Sequence, residues 1–321
     1  MSTDAHQQLL GRVARLYYDH GLTHAEIGVL LDLSRIKITR MLAEARRLGV
    51  VEITVHSDER PFADLEQELI QRYDLDGAWI CPTAGGDPRR TLTSLAIAGA
   101  EALTAILPRS RRVVIGVSRA VAASLDQLRP IEASELEILP LGGSRAGRAT
   151  GSDPHELVSA LARLTGGTPF HLTAPLIAST AENAAAIRDD PDTRAVLGAA
   201  AGADALIVGI GGIQRAAQAL RHWITDREFA ALREAGAVGD ISGRFYDAVG
   251  QPVPSEVDDR VVGLTLAQQG TIGVRIGIAG GPEKRDALRT AVSCGLVTVV
   301  VTDTENALHL LDRGTVNSQS A

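Results

Sequence analysis

Among the 32 lysines and arginines of this chain, Lys37 and Lys284 are the only lysines, and each lies in a pattern suited to holding an anion. A lysine is a compact, mobile point charge where arginine is a planar fork, so two lysines in an arginine-rich chain mark places to inspect. Lys284 closes the run Gly280-Gly281-Pro282-Glu283-Lys284 at the end of an apolar segment, where it opens a helix. Glycines there let the backbone pass close to a phosphate, a helix start offers free N–H groups, and the ammonium supplies charge. Three similar exits follow other apolar segments: Gly116-Val117-Ser118-Arg119, Pro140-Leu141-Gly142-Gly143-Ser144 and Gly209-Ile210-Gly211-Gly212. Ser118, Arg119, Gly142, Gly143, Gly211, Gly212, Asp240 and Lys284 are therefore expected around one anionic pocket. In it Asp240 would accept from hydroxyl groups, because a carboxylate beside a phosphate is repelled. Gly209-Ile210-Gly211 is half of a dinucleotide fingerprint, but Gln214 takes the third glycine position, so neither NAD nor any other cofactor is expected.

Lys37 belongs to a different pattern. Residues 21–42 read as a helix, a tight turn and a second, basic helix. Thr23 caps a short helix with Ile27, Leu30 and Leu31 on one face, and Ser34 caps the next. On that second helix Ile38, Leu42 and Ala45 face inward, and Arg35, Lys37, Thr39 and Arg40 face outward, with Arg46 and Arg47 near its end. Thr23, Ser34, Arg35, Lys37, Thr39 and Arg40 are the expected contacts to duplex DNA, with the second helix in the major groove. Residues 7–20 form a supporting helix, and Val50–His56 alternates like the short strand of a winged module.

The elements that must position the pocket follow from residue 62 onward. Phe62–Tyr73 is helical, with Leu65, Leu69 and Tyr73 placed to pack between subunits. Beyond it, short apolar runs alternate with amphipathic helices, which implies a mostly parallel sheet covered on both faces. The expected division is residues 1–56 for DNA binding, 57–62 as linker, 63–316 for effector binding and oligomerisation, and 317–321 as tail.

At 321 residues the chain has room for two domains, and its net charge of −7 confines nucleic-acid contact to one small module. The apolar runs read as too short or too interrupted to span a bilayer, and residues 1–15 lack a signal-peptide core, so no membrane partner is expected. Cys81 and Cys294 fit neither a disulfide framework nor a zinc motif, and the eight histidines are scattered, so the expected compartment is a reducing cytoplasm without a metal site.

Several of these blocks together resemble the SorC family of bacterial transcriptional regulators over nearly the whole chain. They are Gly21–Ile27, Ser34–Leu42, Gly116–Ser118, Gly236–Gly250, Asp259–Gly263, Ala279–Lys284 and Gly295–Asp303. The resemblance implies an N-terminal helix-turn-helix domain and an α/β effector domain similar to ribose-5-phosphate isomerase and glucosamine-6-phosphate deaminase. It also implies a phosphorylated sugar or polyol bound without turnover, and a dimer or tetramer on operator DNA. Family members usually continue Gly-Val-Ser with Trp-Gly; this chain has Arg119-Ala120, which exchanges an aromatic platform for a cation. The alternative is a sugar-phosphate isomerase or deaminase with a helical N-terminal extension, for which Asp240, Asp247 and Glu283 are the candidate bases.

Overall fold

The computed structural model describes residues 3–51, 60–83, 87–145, 151–213, 220–221 and 223–312. It divides into two compact units, Met1–Arg60 and Pro61–Ala321.

In the first unit, α1 (Thr3–Tyr18), α2 (His24–Leu31) and α3 (Arg35–Arg47) pack around Leu10, Val13, Ile27, Ile38, Met41, Leu42 and Ala45. The start of α2 is fixed by a capping box: the Thr23 hydroxyl accepts from Glu26 N–H, and Glu26 in turn accepts from the Thr23 N–H at 2.8 Å. Asp32 stops α2 in a left-handed conformation (φ 52°). Leu33 N–H then donates to Gly28 O at 2.9 Å. A Cβ on Gly28 would lie 2.6 Å from Leu33 O, so the tightness of this turn requires glycine there. One expected core position is corrected: Leu30 is 61% exposed, because the turn presents only Ile27 and Gly28 of α2 as buried residues. Of the expected wing strand, residues 52–56 lie outside the described residues, as do 57–59 of the linker and the 317–321 tail. Val50 and Val51, the described start of that segment, pack on the core.

The second unit is built on a seven-stranded sheet in which every pairing is parallel. Its strands are β1 (Gly77–Cys81), β2 (Arg112–Ile115), β3 (Glu137–Pro140), β4 (Thr168–Pro169), β5 (Ala205–Gly209), β9 (Val274–Ile278) and β10 (Val299–Asp303), in the order β1-β10-β9-β5-β2-β3-β4. Strand residues alternate between two cores: Val113, Ile115 and Ile207 face one, Val114, Leu206 and Val208 the other. Burial on both faces is why these strands read as unbroken apolar runs. Each fully buried aliphatic side chain contributes about 1.5–3 kcal/mol. A separate antiparallel sheet of β6 (Gly211–Gly212), β7 (Gly239–Ile241) and β8 (Arg244–Tyr246) stands beyond β5 in sequence. Positive φ at both Ser242 (50°) and Gly243 (84°) makes the β7–β8 connection a two-residue hairpin turn.

Two expectations meet the packing of this unit. The helix α4 (Ala63–Tyr73) buries its apolar stripe within its own unit: Leu69 is fully buried, and the Tyr73 hydroxyl donates to Leu310 O at 2.6 Å. The stripe thus packs on its own unit first, with Leu65 and Tyr73 partly buried there. The segment Pro88–Arg109, which contains α5 (Pro88–Ile106), is long and apolar enough by length and composition to cross a membrane. Half of that window is buried in the unit, where Leu95 and Leu103 pack under the sheet.

Candidate functional site

On the first unit the outward face of α3 is set by its cap and its core. Ser34 Oγ accepts from Lys37 N–H at 3.3 Å, and Ile38, Met41, Leu42 and Ala45 hold the opposite face. Arg35, Lys37, Thr39 and Arg40 are all exposed on the helix's first turns. The Thr39 hydroxyl donates to Arg35 O at 3.1 Å and lies 3.2 Å from His24 Nδ1, tying α3 to the start of α2. Thr23 is engaged by Glu26 through both its N–H and its hydroxyl, so it and Ser34 aim the helices. These hydrogen bonds, first that to the Thr23 hydroxyl, hold the Glu26 carboxyl below its ordinary range.

In the second unit the site follows from topology. From β2 the chain adds β3 and β4 outward on one side, then returns to place β5 on the other side of β2, with β9 and β10 beyond it. The sheet therefore changes direction between β2 and β5, the place where open α/β sheets leave a crevice beyond the carboxyl ends of their strands. A cavity of about 650 Å³ lies there. Ser118, Arg119, Gly211, Asp240 and Lys284 all line it.

Each is positioned by local chemistry. Ser118 caps α6 (Arg119–Gln127), its Oγ accepting from Val121 N–H at 3.2 Å. Gly209 leaves room for that side chain, since a Cβ on it would lie 2.2 Å from Ser118 Oγ. Arg119 is the first residue of the same helix and is exposed. Asp240, on β7, is 5% exposed and accepts from Gly243 N–H at 3.1 Å. Burial raises its pKa above the ordinary range; the Gly243 bond and the Lys284 charge oppose that shift without cancelling it. Lys284 ends the turn Pro282–Lys284, entered through Gly281 at φ 96°. Gly281 N–H donates to Asp303 Oδ2 at 2.6 Å, and Asn306 N–H donates to Asp303 Oδ1 at 3.0 Å, so the buried Asp303 fixes the turn against the end of β10.

The other expected glycines lie elsewhere. Gly142 bridges to Gly263, and Gly143 N–H donates to Val262 O at 2.9 Å. A Cβ on Gly143 would lie 2.3 Å from Pro175 O. The exit of β3 is thus covered by crossing backbone, and these two glycines do not line the cavity. Nor does Gly212, whose missing side chain lets the Glu283 carbonyl pack against it, 2.2 Å from where a Cβ would stand.

Thr83, Arg89, Asp303 and Glu305 also line the cavity and are not among the residues that the glycine-rich exits single out. In sequence the exit of β1 carries a glycine pair of its own, Gly85-Gly86, which is not one of the four exits read above, and Arg89 follows Asp87, which caps α5. Their signal was positional: β1 and β10 are parallel neighbours, so their carboxyl ends share a rim. The lining therefore combines three cations, Arg89, Arg119 and Lys284, with carboxylates and hydroxyls, which suits a polyhydroxylated ligand with an anionic end.

Residues 60–312 match the Sugar-bind family of sugar-binding domains. The transcriptional regulator LsrR of Klebsiella pneumoniae is 33% identical over 312 residues, covering 96% of this chain and 94% of that one. Its counterpart in Escherichia coli K12 is 30% identical over 316 residues, covering 95% of each chain. Among solved structures, the full-length sorbitol operon regulator SorC of Klebsiella pneumoniae has TM-score 0.75 at 24% identity, covering 97% of this chain and 100% of that one. A DeoR family transcriptional regulator of Listeria monocytogenes has TM-score 0.71 at 23% identity, covering 78% and 100%. At these identities the two structures establish the shared fold. A helix-turn-helix and a sugar-binding α/β unit in one chain define the class: a DNA-binding transcriptional regulator controlled by a small-molecule effector. Within that class, the chain belongs to the SorC family of regulators with a sugar-binding domain.

Proposed function

We propose that α3 binds an operator duplex in the major groove, and that a phosphorylated sugar or polyol in the cavity sets the affinity of that binding. The observation that carries the effector reading is the arrangement at the sheet's switch point. Lys284, Arg119 and the capped start of α6 supply cationic and N–H groups, and the buried Asp240 faces the same space as an acceptor for hydroxyls. The phosphate is assigned to Lys284 and the Gly281 turn, and the hydroxyls to Asp240. Binding is proposed to proceed without turnover, as befits a relative of transcriptional regulators. Operator contacts are assigned to Arg35, Lys37, Thr39 and Arg40, with Thr23 and Ser34 orienting them. One small helix-turn-helix covers one half-site, so a dimer or tetramer is proposed to supply paired modules at fixed spacing. The two free thiols, Cys81 and Cys294, accord with action in the reducing cytoplasm.

A panel of sugar phosphates and their unphosphorylated parents, screened by thermal shift, tests the effector reading. A ligand that selects the native state raises the melting temperature by mass action, and phosphorylated members alone should do so. Equal shifts from a sugar and its phosphate would contradict the anionic assignment. Release of product from ribose-5-phosphate or glucosamine-6-phosphate would contradict binding without turnover.

A further inference from the structure

Ile36, the second residue of α3, is 68% exposed. It stands outside the core of its unit, which Ile38 already fills from the same turn. At 3.6 residues per turn, Ile36, Arg40, Ala43 and Arg47 fall on one stripe, opposite the buried Ile38, Leu42 and Ala45. All four stripe residues are exposed. Ile36 is thus at the centre of the outward face, and Arg35 and Lys37 lie to its sides. A β-branched side chain on a helix keeps one strongly preferred χ1 rotamer, so this apolar group is held out stiffly into solvent. An outward stripe that alternates apolar and guanidinium groups matches the major groove, where thymine presents a methyl group and guanine two acceptors.

We propose that Ile36 packs against the 5-methyl group of a thymine in the operator half-site, and so sets base preference at that position. The proposal rests on the reading above that α3 enters the major groove. Arg40, one turn along the same stripe, takes a neighbouring guanine edge or phosphate. The competing occupant is a protein surface, because Val29 (86%) and Leu30 (61%) are also exposed on α2. A protein contact would make Ile36 matter equally whatever the base, whereas a methyl contact makes it matter only where that methyl is present.

The test uses the full-length protein and duplexes that it selects from a random-sequence library. The best duplex is remade with deoxyuridine in place of each thymine in turn, which deletes only the 5-methyl group. Wild type should lose about fourfold in affinity at one thymine per half-site, the value of one buried methyl group of about 0.8 kcal/mol. Ile36→Ala should bind the thymine and deoxyuridine duplexes equally at that position. Alanine is the stronger helix former and Ile36 lies outside the core, so the variant should fold, which circular dichroism verifies. Wild type indifferent to every deoxyuridine, or Ile36→Ala weaker by the same factor on every duplex, overturns the proposal. Arg40→Ala, measured in the same series, separates the two levels. If it leaves affinity unchanged, α3 is not in the groove and the underlying reading fails. If it weakens binding while Ile36 shows no thymine dependence, only the thymine contact fails.

Discussion

On α3, the outward side chains Arg35, Ile36, Lys37, Thr39 and Arg40 follow one another along the first turns of one helix and are all exposed. The cavity instead draws Ser118, Lys284 and Asp303 from the ends of β2, β9 and β10 and Asp240 from within β7, and all but Lys284 are buried. A helix surface presents each side chain independently, so one can be removed without moving the next. The cavity is held by backbone and by buried polar groups, so its shape depends on residues that never touch a ligand. Arg244 is the clearest of these: its guanidinium donates to Asp258 Oδ1 at 2.9 Å, to Gly263 O at 3.1 Å and to Leu264 O at 3.2 Å. It thereby pins the 258–264 segment to the hairpin that carries Asp240.

The largest expected effect breaks that support. Arg244→Ala leaves buried acceptors and Asp258 without their partner and should cost about 3–5 kcal/mol. Both tryptophans, Trp79 and Trp223, lie in the second unit, so tryptophan fluorescence during urea unfolding reports that unit alone. A shift below 1 kcal/mol would mean the cavity is not held as described. Next comes the helix surface. Lys37→Ala and Arg40→Ala should each weaken operator binding by roughly 1–3 kcal/mol where the side chain reads a base. A phosphate contact would instead lower the salt slope by about one unit. Either change should leave the helical circular-dichroism signal and its thermal transition in place, and a variant that loses them would erase the contrast between the two units.

The smallest effect concerns Asp240. Its folded pKa lies above its ordinary value, chiefly through burial. The folded state therefore holds more protons than the unfolded one, and this group's contribution to stability falls as pH rises through the carboxylate range. Asp240→Asn should accordingly raise the melting temperature of the ligand-free protein at neutral pH, with the gain shrinking as pH is lowered past that range. The same change should weaken the ligand-induced thermal shift. A lower melting temperature at neutral pH would show that the Lys284 charge outweighs burial.

The contrast also decides what was legible in the chain itself. The helix-turn-helix could be read because its periodicity, caps and charge all lie within residues 21–47, and only Leu30 departs from its expected side. The parallel sheet was legible in its alternating runs, but short paired elements such as β4 and the β6–β8 sheet have too few residues to show a period. Ser118, Arg119 and Lys284 could be listed from strand exits without knowing strand order, whereas Asp240 lies on β7 of the small antiparallel sheet. Strand order is what separates them from Gly142 and Gly143, since β3 lies beyond the switch point and its exit is covered. Asp303 needed the pairing of β1 with β10, which no local pattern encodes, whereas Arg89 stands three residues after Gly85-Gly86, a pair of the same kind as at the exits read above.

The central claim is that occupancy of the cavity sets operator affinity through the anion held at Lys284. It is tested most directly by operator-binding titrations of wild type and Lys284→Ala, with and without the sugar phosphate that gives the largest thermal shift. Effector and operator are coupled typically by 1–3 kcal/mol in such systems, about five- to 150-fold in affinity. Wild type should change operator affinity within that range. Lys284→Ala should bind the operator within about twofold of wild type in the absence of effector and show no response at effector concentrations that saturate wild type. A Lys284→Ala protein that still responds at unchanged effector concentration would place the anion elsewhere and contradict the account.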